Sequence, residues 1–280
     1  MFRNYWHYVI STVHIYKDYK GIYKKDMLKN DILIQASEYY KSQFDENQKC
    51  ETAKYITETR KFSKDTINKF GVGISTGSYG LVNYLKAKGY TKDEMCLNGL
   101  TNEVNGNAVD FLAERFIIEI RGIYGDLVAF GGRKQDGNKR YKYLNTKTTP
   151  LFAKKKTVFN LDKAKYYIDY INNPYLILVE GYCDVMSLWQ NGIKNVVCTM
   201  GTACSEEQAK LIKMFCNKVV MCYDGDTAGQ NATDRADLIF KNNNIKTYKL
   251  CLPNCKDPDD ILGMDNGKQI FLDMVKNCMV

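Results

Sequence analysis

The chain has 280 residues, 45% of them hydrophobic, and a formal net charge of +8 from 40 basic and 32 acidic side chains. That length and apolar content allow a sizeable core and about two domains, and exclude a disordered or fibrous chain. There is no secretory signal and no apolar run of membrane-spanning length, and none of the ten cysteines forms a Cys-x-x-Cys pair. A disulfide framework is therefore excluded, no membrane partner is expected, and the thiols read as reduced groups in a cytoplasm.

Residues 1–30 are rich in tyrosine and lysine, contain His7 and His14, and show no period or motif, so they stay unassigned. Helical patterns follow over Ile34 to Phe44, Cys50 to Thr59, Lys64 to Phe70, Leu81 to Lys88 and Lys92 to Leu97. Ser63 stands as an N-cap, and Thr91 with Glu94 forms a capping box. The run Gly71-Val72-Gly73 with Gly77 and Gly80 lacks the Gly-Lys-Ser/Thr ending and the preceding strand of a phosphate loop, so an inter-helix loop is expected. Phe116 to Ile120 and Leu127 to Phe130, joined around Tyr124-Gly125-Asp126, predict a β-hairpin, and Tyr141 to Leu144 a further strand. From Arg133 to Lys165 eleven basic residues face only Asp136 and Asp162, a net of +9, with Tyr141, Tyr143 and Phe152 interleaved. Such a stretch suits a surface that holds phosphates and stacks bases, although charge runs are commonly just solvated faces.

Beyond about residue 173 the pattern changes to strand alternating with helix. Tyr175 to Val179 ends in Glu180-Gly181, Lys218 to Tyr223 ends in Asp224-Gly225-Asp226, and a third such run precedes Asp257-Pro258-Asp259-Asp260. Helical periodicity covers Val185 to Gln190, Glu206 to Phe215 and Ala228 to Phe240. These elements predict a doubly wound α/β domain whose parallel strands deliver carboxylates to one edge. One Asp-Gly-Asp is ordinarily a solvated turn, but three clusters at strand ends point to a divalent ion, and oxygen-only ligands select Mg²⁺ or Mn²⁺. Cys183, Cys198, Cys216 and Cys222 lie in apolar contexts and read as core. Cys251 and Cys255 find no second pair to complete a tetrahedral set, so no zinc site is expected.

Phe130-Gly131-Gly132-Arg133, Lys142-Tyr143-Leu144-Asn145, Glu180-Gly181-Tyr182-Cys183-Asp184-Val185, Met200-Gly201-Thr202-Ala203, Asp224-Gly225-Asp226-Thr227-Ala228-Gly229 and Asp257-Pro258-Asp259 occur in that order. The series resembles the RNA polymerase core of bacterial-type replicative DNA primases over roughly Asp31 to Val280. The resemblance implies an α/β chain in two parts: an α+β primase-type subdomain with a basic groove (31–172), then a Toprim-type α/β domain with a mainly parallel sheet (173–280). It implies metal-dependent synthesis of short RNA primers from ribonucleoside triphosphates on a single-stranded DNA template. Glu180, Asp224 and Asp226 would be catalytic, and with Asp184, Asp257 and Asp259 would hold metal. Arg60, Arg115, Arg133, Lys142, Asn145 and Lys154 would line the template and nucleotide groove. Family members usually also carry a zinc-binding domain and a domain that docks on the replicative helicase; neither is expected here, so a helicase partner would lack its docking domain. Glu119 stands where the family commonly has proline, which predicts an extra acid beside the groove; Cys183 stands in place of methionine. A Toprim nuclease and a non-initiating single-stranded-DNA-binding module stay open as alternatives.

Overall fold

The computed structural model describes residues 30–134, 142–171, 174–201, 204–223, 227–253 and 257–279. Helix α1 (Asn30–Glu46) leads into α2 (Glu51–Lys54), a π turn over Tyr55–Thr59, and α3 (Lys64–Lys69). Strand β1 (Gly73–Ser75) precedes α4 (Gly80–Ala87) and α5 (Lys92–Leu97). A small hairpin, β2 (Thr101–Val104) and β3 (Asn107–Asp110), comes before β4 (Arg115–Arg121), β5 (Leu127–Arg133) and β6 (Tyr143–Asn145). The expected helices are present and two start as anticipated: the Ser63 hydroxyl accepts from the Thr66 amide at 3.2 Å, and Thr91 and Glu94 close a capping box. Strands β1, β4, β5 and β6 form one antiparallel sheet in that order.

After α6 (Leu161–Ala164) the second half alternates strictly: β7 (Leu176–Val179), α7 (Tyr182–Gln190), β8 (Val196–Cys198), α8 (Glu206–Lys213), β9 (Lys218–Met221), α9 (Thr227–Asn242) and β10 (Lys246–Lys249). Two helices close the chain, α10 (Pro258–Leu262) and α11 (Gly267–Cys278). The sheet is parallel with order β10-β9-β7-β8, the α/β arrangement expected from the apolar runs. Among the described residues no helix is long and apolar enough to cross a membrane.

Strand period two sorts the side chains into layers. Ile177, Val179, Val196, Cys198, Val220 and Cys222 face a core that also takes in Ile56, Phe70, Phe116, Ile118 and Phe159 of the first half. The alternate residues Leu176, Leu178, Val197, Val219 and Met221 face the other way, onto Ala209, Ile212 and Phe240. Ile117 and Phe130 point to a third cluster with Ile32, Tyr40 and Leu81. The two sheets thus share one apolar layer, and each fully buried aliphatic or aromatic side chain in it contributes roughly 1.5–3 kcal/mol. Gly131 makes their approach close: a Cβ there would sit 2.7 Å from the ring of Tyr182, itself buried at the start of α7.

Three expectations are corrected and one is sharpened. Gly73 is no loop residue but opens β1, whose partner is β4. The segment Cys50 to Thr59 is not a regular helix, because its second half winds as a π turn. Asp257 to Asp260 do not end a strand: β10 stops at Lys249, and Asp257 is instead the N-cap of α10, accepting from the Asp260 amide at 2.9 Å. Glu119, the extra acid, lines a cavity with Ser37, Lys41, Arg121 and Asp126. It is buried on β4, where it accepts from Ser37 Oγ at 2.5 Å, Lys41 Nζ at 2.6 Å and Arg121 Nη2 at 2.5 Å. Burial pulls its pKa up, but hydrogen bonds from Lys41 and Ser37 and the charges of Lys41 and Arg121 outweigh burial and hold it below the ordinary value. Gly71, at φ +59°, presents bare backbone to this carboxylate; a Cβ would fall 2.1 Å from its Cδ.

The buried Asp110 is the opposite case. It accepts from Ser75 Oγ at 2.6 Å, the Leu112 amide at 2.8 Å and Tyr40 OH at 3.0 Å, yet burial pushes its pKa up to about 6 against those donors. A raised folded-state value means stability is fully present below about pH 4 and is lost as pH rises to about 6, by up to ~3 kcal/mol. Glu119 acts in the reverse sense below its ordinary value, so the comparison is made between variants. Denaturant unfolding of Asp110→Asn should lack the fall between about pH 4 and 6 seen in the parent chain; parallel profiles would remove Asp110 as its source. Gly131→Ala should destabilise by about 1–3 kcal/mol through its clash with Tyr182, while Gly77→Ala, whose Cβ meets nothing within 4 Å, should stay within about 0.5 kcal/mol.

Candidate active site at the switch point of the parallel sheet

In the order β10-β9-β7-β8 the chain moves one way from β7 to β8 and the other way from β9 to β10. Beyond the carboxyl ends of β7 and β9 there is therefore a crevice, the place where open α/β sheets bind ligands. Glu180 follows directly on β7, half-buried. On the neighbouring strand the Cys222 amide donates to the Leu178 carbonyl at 2.8 Å, just before the buried Tyr223. Burial pushes the Tyr223 phenol pKa up and the Glu180 charge adds to it. Asp224 and Asp226 themselves lie outside the described residues, as do Tyr141, Cys255 and most of segment 1–30. After β8, Met200 at φ +65° and Gly201 at φ +78° turn the chain so that the Gly201 amide donates to the Glu180 carbonyl at 3.2 Å.

The first turn of α7 carries the other contacts. The Asp184 carboxylate accepts from the Gly181 amide at 2.9 Å, which satisfies an otherwise orphaned helix N–H. Tyr182 reaches the amide of Asn145. In the orientation that satisfies its neighbours, Asn145 donates to Tyr182 and to the Leu144 carbonyl at 3.2 Å, and accepts from Lys154 Nζ at 3.0 Å. Burial lowers the Lys154 pKa, with Cys198 opposing. Cys183 accepts from Tyr143 OH at 3.7 Å. Tyr143 in turn accepts from Arg133 Nε at 3.1 Å, and the Arg133 guanidinium stacks over Tyr55 at 4.2 Å. Burial raises the Tyr143 pKa, followed in effect by Cys183, with Arg133 opposing and Asp184 reinforcing. Lys142 is exposed, its Nζ 5.9 Å from the Tyr143 ring centroid.

Of the residues singled out from sequence, Glu180, Asp184, Arg133, Asn145, Lys142 and Lys154 therefore converge on one helix turn and the strand ends beside it. Four are engaged in other contacts. Arg115 is buried under β5, against Gly132, and donates to the Lys142 carbonyl at 3.4 Å. Arg60 donates to Tyr55 OH at 2.5 Å and to Asp259 Oδ2 at 2.6 Å; Asp259 Oδ1 accepts from Ser187 Oγ at 2.5 Å. Asp257 caps α10. Among the described residues no three His, Cys, Asp or Glu side chains form a group able to hold an ion. Tyr55, Tyr182 and Ser187 were not anticipated as site residues. The signal for Tyr182 was its place between Gly181 and Cys183 in the motif, and for Tyr55 its place on the segment that carries Arg60.

Two family models match the chain: the N-terminal domain of the DNA primase catalytic core over residues 39–165, and a Toprim-like domain over residues 177–262. The DNA primase of Clostridium acetobutylicum is 36% identical over 264 residues, 92% of this chain and 43% of that protein. The DNA primase of Aquifex aeolicus is 32% identical over 240 residues, 86% of this chain and 44% of that protein. The chain thus spans less than half the length of these relatives. Among solved structures, a DNA primase domain from Pseudomonas aeruginosa is 30% identical with a TM-score of 0.77, covering 87% of this chain and 78% of that one. The zinc-binding and RNA polymerase domains of the Aquifex aeolicus primase align with a TM-score of 0.79 at 28% identity, over 96% of this chain and 67% of that one. Matching motifs, the shared architecture of both halves and this breadth of similarity place the chain in the family of bacterial DnaG-type DNA primases, as a catalytic core.

Proposed function

We propose that this chain is a DNA-templated RNA primer synthase, joining ribonucleoside triphosphates and releasing pyrophosphate. The observation that carries the reading is the convergence at the first turn of α7. Just after the half-buried Glu180 at the switch point, Tyr182 and Cys183 contact Asn145 and Tyr143, which in turn hold Lys154 and Arg133, a cation and aromatic set supplied by the antiparallel sheet and the loop after it. Nucleotidyl transfer depends mostly on positioning and charge neutralisation, and this juxtaposition suits both. A relative's DnaG catalytic domain has been solved bound to single-stranded DNA, and the polymerase domain of Mycobacterium tuberculosis DnaG with a double-stranded oligomer carrying a 6-nucleotide overhang. We assign the same class of template to this chain, with the exposed Lys142 on its phosphates and the buried Arg133 behind it, between Tyr55 and Tyr143.

Glu180 and Asp184, together with Asp224 and Asp226, offer only hard oxygen donors, which fit Mg²⁺ or Mn²⁺. Bound there, such ions supply the positive charge that a triphosphate and an attacking 3′-oxygen require. Glu180 is also the group suited to take the proton of the 3′-hydroxyl as its oxygen bonds to the α-phosphorus and pyrophosphate leaves. Asn145 holds Lys154 for a phosphate oxygen, and Tyr143 accepts from Arg133 Nε. Asp257 and Asp259 we assign to a positioning role: one caps α10 and the other ties Arg60 and Ser187 to it.

Incorporation of labelled ribonucleotides on single-stranded DNA tests the reading. Asp224→Ala should reduce synthesis at least about 100-fold with template affinity near normal, as expected when a metal ligand and no phosphate contact is removed. Template cleavage without synthesis would transfer the assignment to a nuclease. Lys142→Ala should weaken template binding and lower the slope of log K against log salt by about 1, measured by anisotropy titration. An unchanged slope would take Lys142 off the template.

A further inference from the structure

The amino-terminal edge of the parallel sheet, opposite the proposed active site, carries a second set of rings and cations. Tyr166, Tyr167 and Tyr170 precede β7 and are 76%, 47% and 55% exposed. Tyr167 packs edge-on against Trp189, at the far end of α7 from Glu180, with centroids 5.3 Å apart. Lys194, just before β8, lies 5.0 Å from the Tyr167 centroid and 5.5 Å from that of Trp189; Lys69 reaches Trp189 at 5.9 Å. Lys165 sits 5.0 Å from the Tyr166 centroid and 5.9 Å from that of Phe215, just before β9. Its Nζ donates to the Ile123 carbonyl at 2.6 Å and its own carbonyl accepts from Tyr170 OH at 3.2 Å, so the segment is held in place. Among the described residues, no ion pair joins Lys69, Lys165 or Lys194 to a carboxylate.

Three exposed phenol rings on one segment, two of them beside lysines and with Asp169 as the single acid of residues 165–171, have the composition of a stacking platform for an unpaired polyanion. A protein surface rich in aliphatic groups would have no use for the lysines. We infer that this edge is a second contact site for single-stranded nucleic acid, separate from the template groove. A four-residue strand spans roughly 13 Å, so a strand touching both edges must be several nucleotides longer than one that fills the active site. The edge thus reads length, whereas the switch-point crevice does the chemistry.

Anisotropy titrations of the whole chain with oligo-dT of about 8 and about 30 nucleotides test this. Tyr166→Ser/Tyr170→Ser/Lys194→Gln should weaken the longer oligomer roughly tenfold and reduce its salt slope, leaving the shorter unchanged. Equal affinity of variant and parent for the longer oligomer would overturn the proposal and give the edge to a protein partner; equal loss at both lengths would also overturn it, merging the edge with the groove. Ultraviolet crosslinking of the unaltered chain to the longer oligomer should mark the peptide containing Tyr166 to Tyr170, and crosslinks confined to the Lys142 and Lys154 peptides would refute the second site whatever the variant does. This readout does not depend on synthesis, so a chain without primase activity can still pass or fail it.

Discussion

The contact between the Tyr182 ring and the bare backbone of Gly131 is the constraint from which the rest of the arrangement follows. It fixes the distance between the antiparallel and parallel sheets at the point where α7 begins. From that point the helix presents Asp184 and Cys183 to Tyr143, while the phenol of Tyr182 itself holds Asn145 and, through it, Lys154. A side chain at 131 would push the helix start away from the sheet that supplies the cations. Neither half could then make the proposed site alone, because Glu180 and Asp184 stand on one sheet and the groups proposed for phosphate stand on or beside the other.

A second tie runs between distant parts of the chain. Arg60 and Asp259 are 199 residues apart and meet at 2.6 Å, with side chains only 17% and 29% exposed. A partly desolvated pair of this kind fixes geometry better than it adds stability, since removing either partner strands a charge. Here it anchors α10 to the helical part, and α10 packs against α7, so the helix that carries the proposed metal residues is held from both sides. The buried Glu119 with Lys41 and Arg121 does similar work inside the first half. There the extra acid is held by donors from α1 and β4.

The strands β7 and β9 were legible because they are continuous apolar runs ended by glycine and carboxylate, and Glu180 came with them. Arg133, Lys142 and Asn145 came from two motifs, Phe130 to Arg133 and Lys142 to Asn145, which lie on or beside the paired strands β5 and β6. What escaped is instructive in physical terms. The hairpin Thr101 to Asp110 buries few side chains and so shows little alternation, although Asn105 and Gly106, both at positive φ, form the Asn-Gly signal of a tight hairpin turn. β1 hides behind its glycine. Asp257-Pro258-x-Asp260 carries a full helix-cap signature, which the attraction of grouping acids into one metal cluster obscured. The Arg60 to Asp259 pair could not be read locally at all, since nothing in either segment refers to the other.

The π turn at Tyr55–Thr59 makes one position depend on counting. The Arg60 amide closes on the Tyr55 carbonyl at 2.9 Å, five residues back instead of four, and the same step brings the Arg60 side chain to the Tyr55 hydroxyl. In a regular helix each residue advances about 100° around the axis. Deleting any single residue between 55 and 59 would let the segment relax to α geometry and swing the guanidinium by about that angle, away from Asp259. Substitutions at the outward positions of this turn are thereby tolerable in a way that a one-residue change of length is not: the segment stores its information in how many residues it has more than in which ones they are.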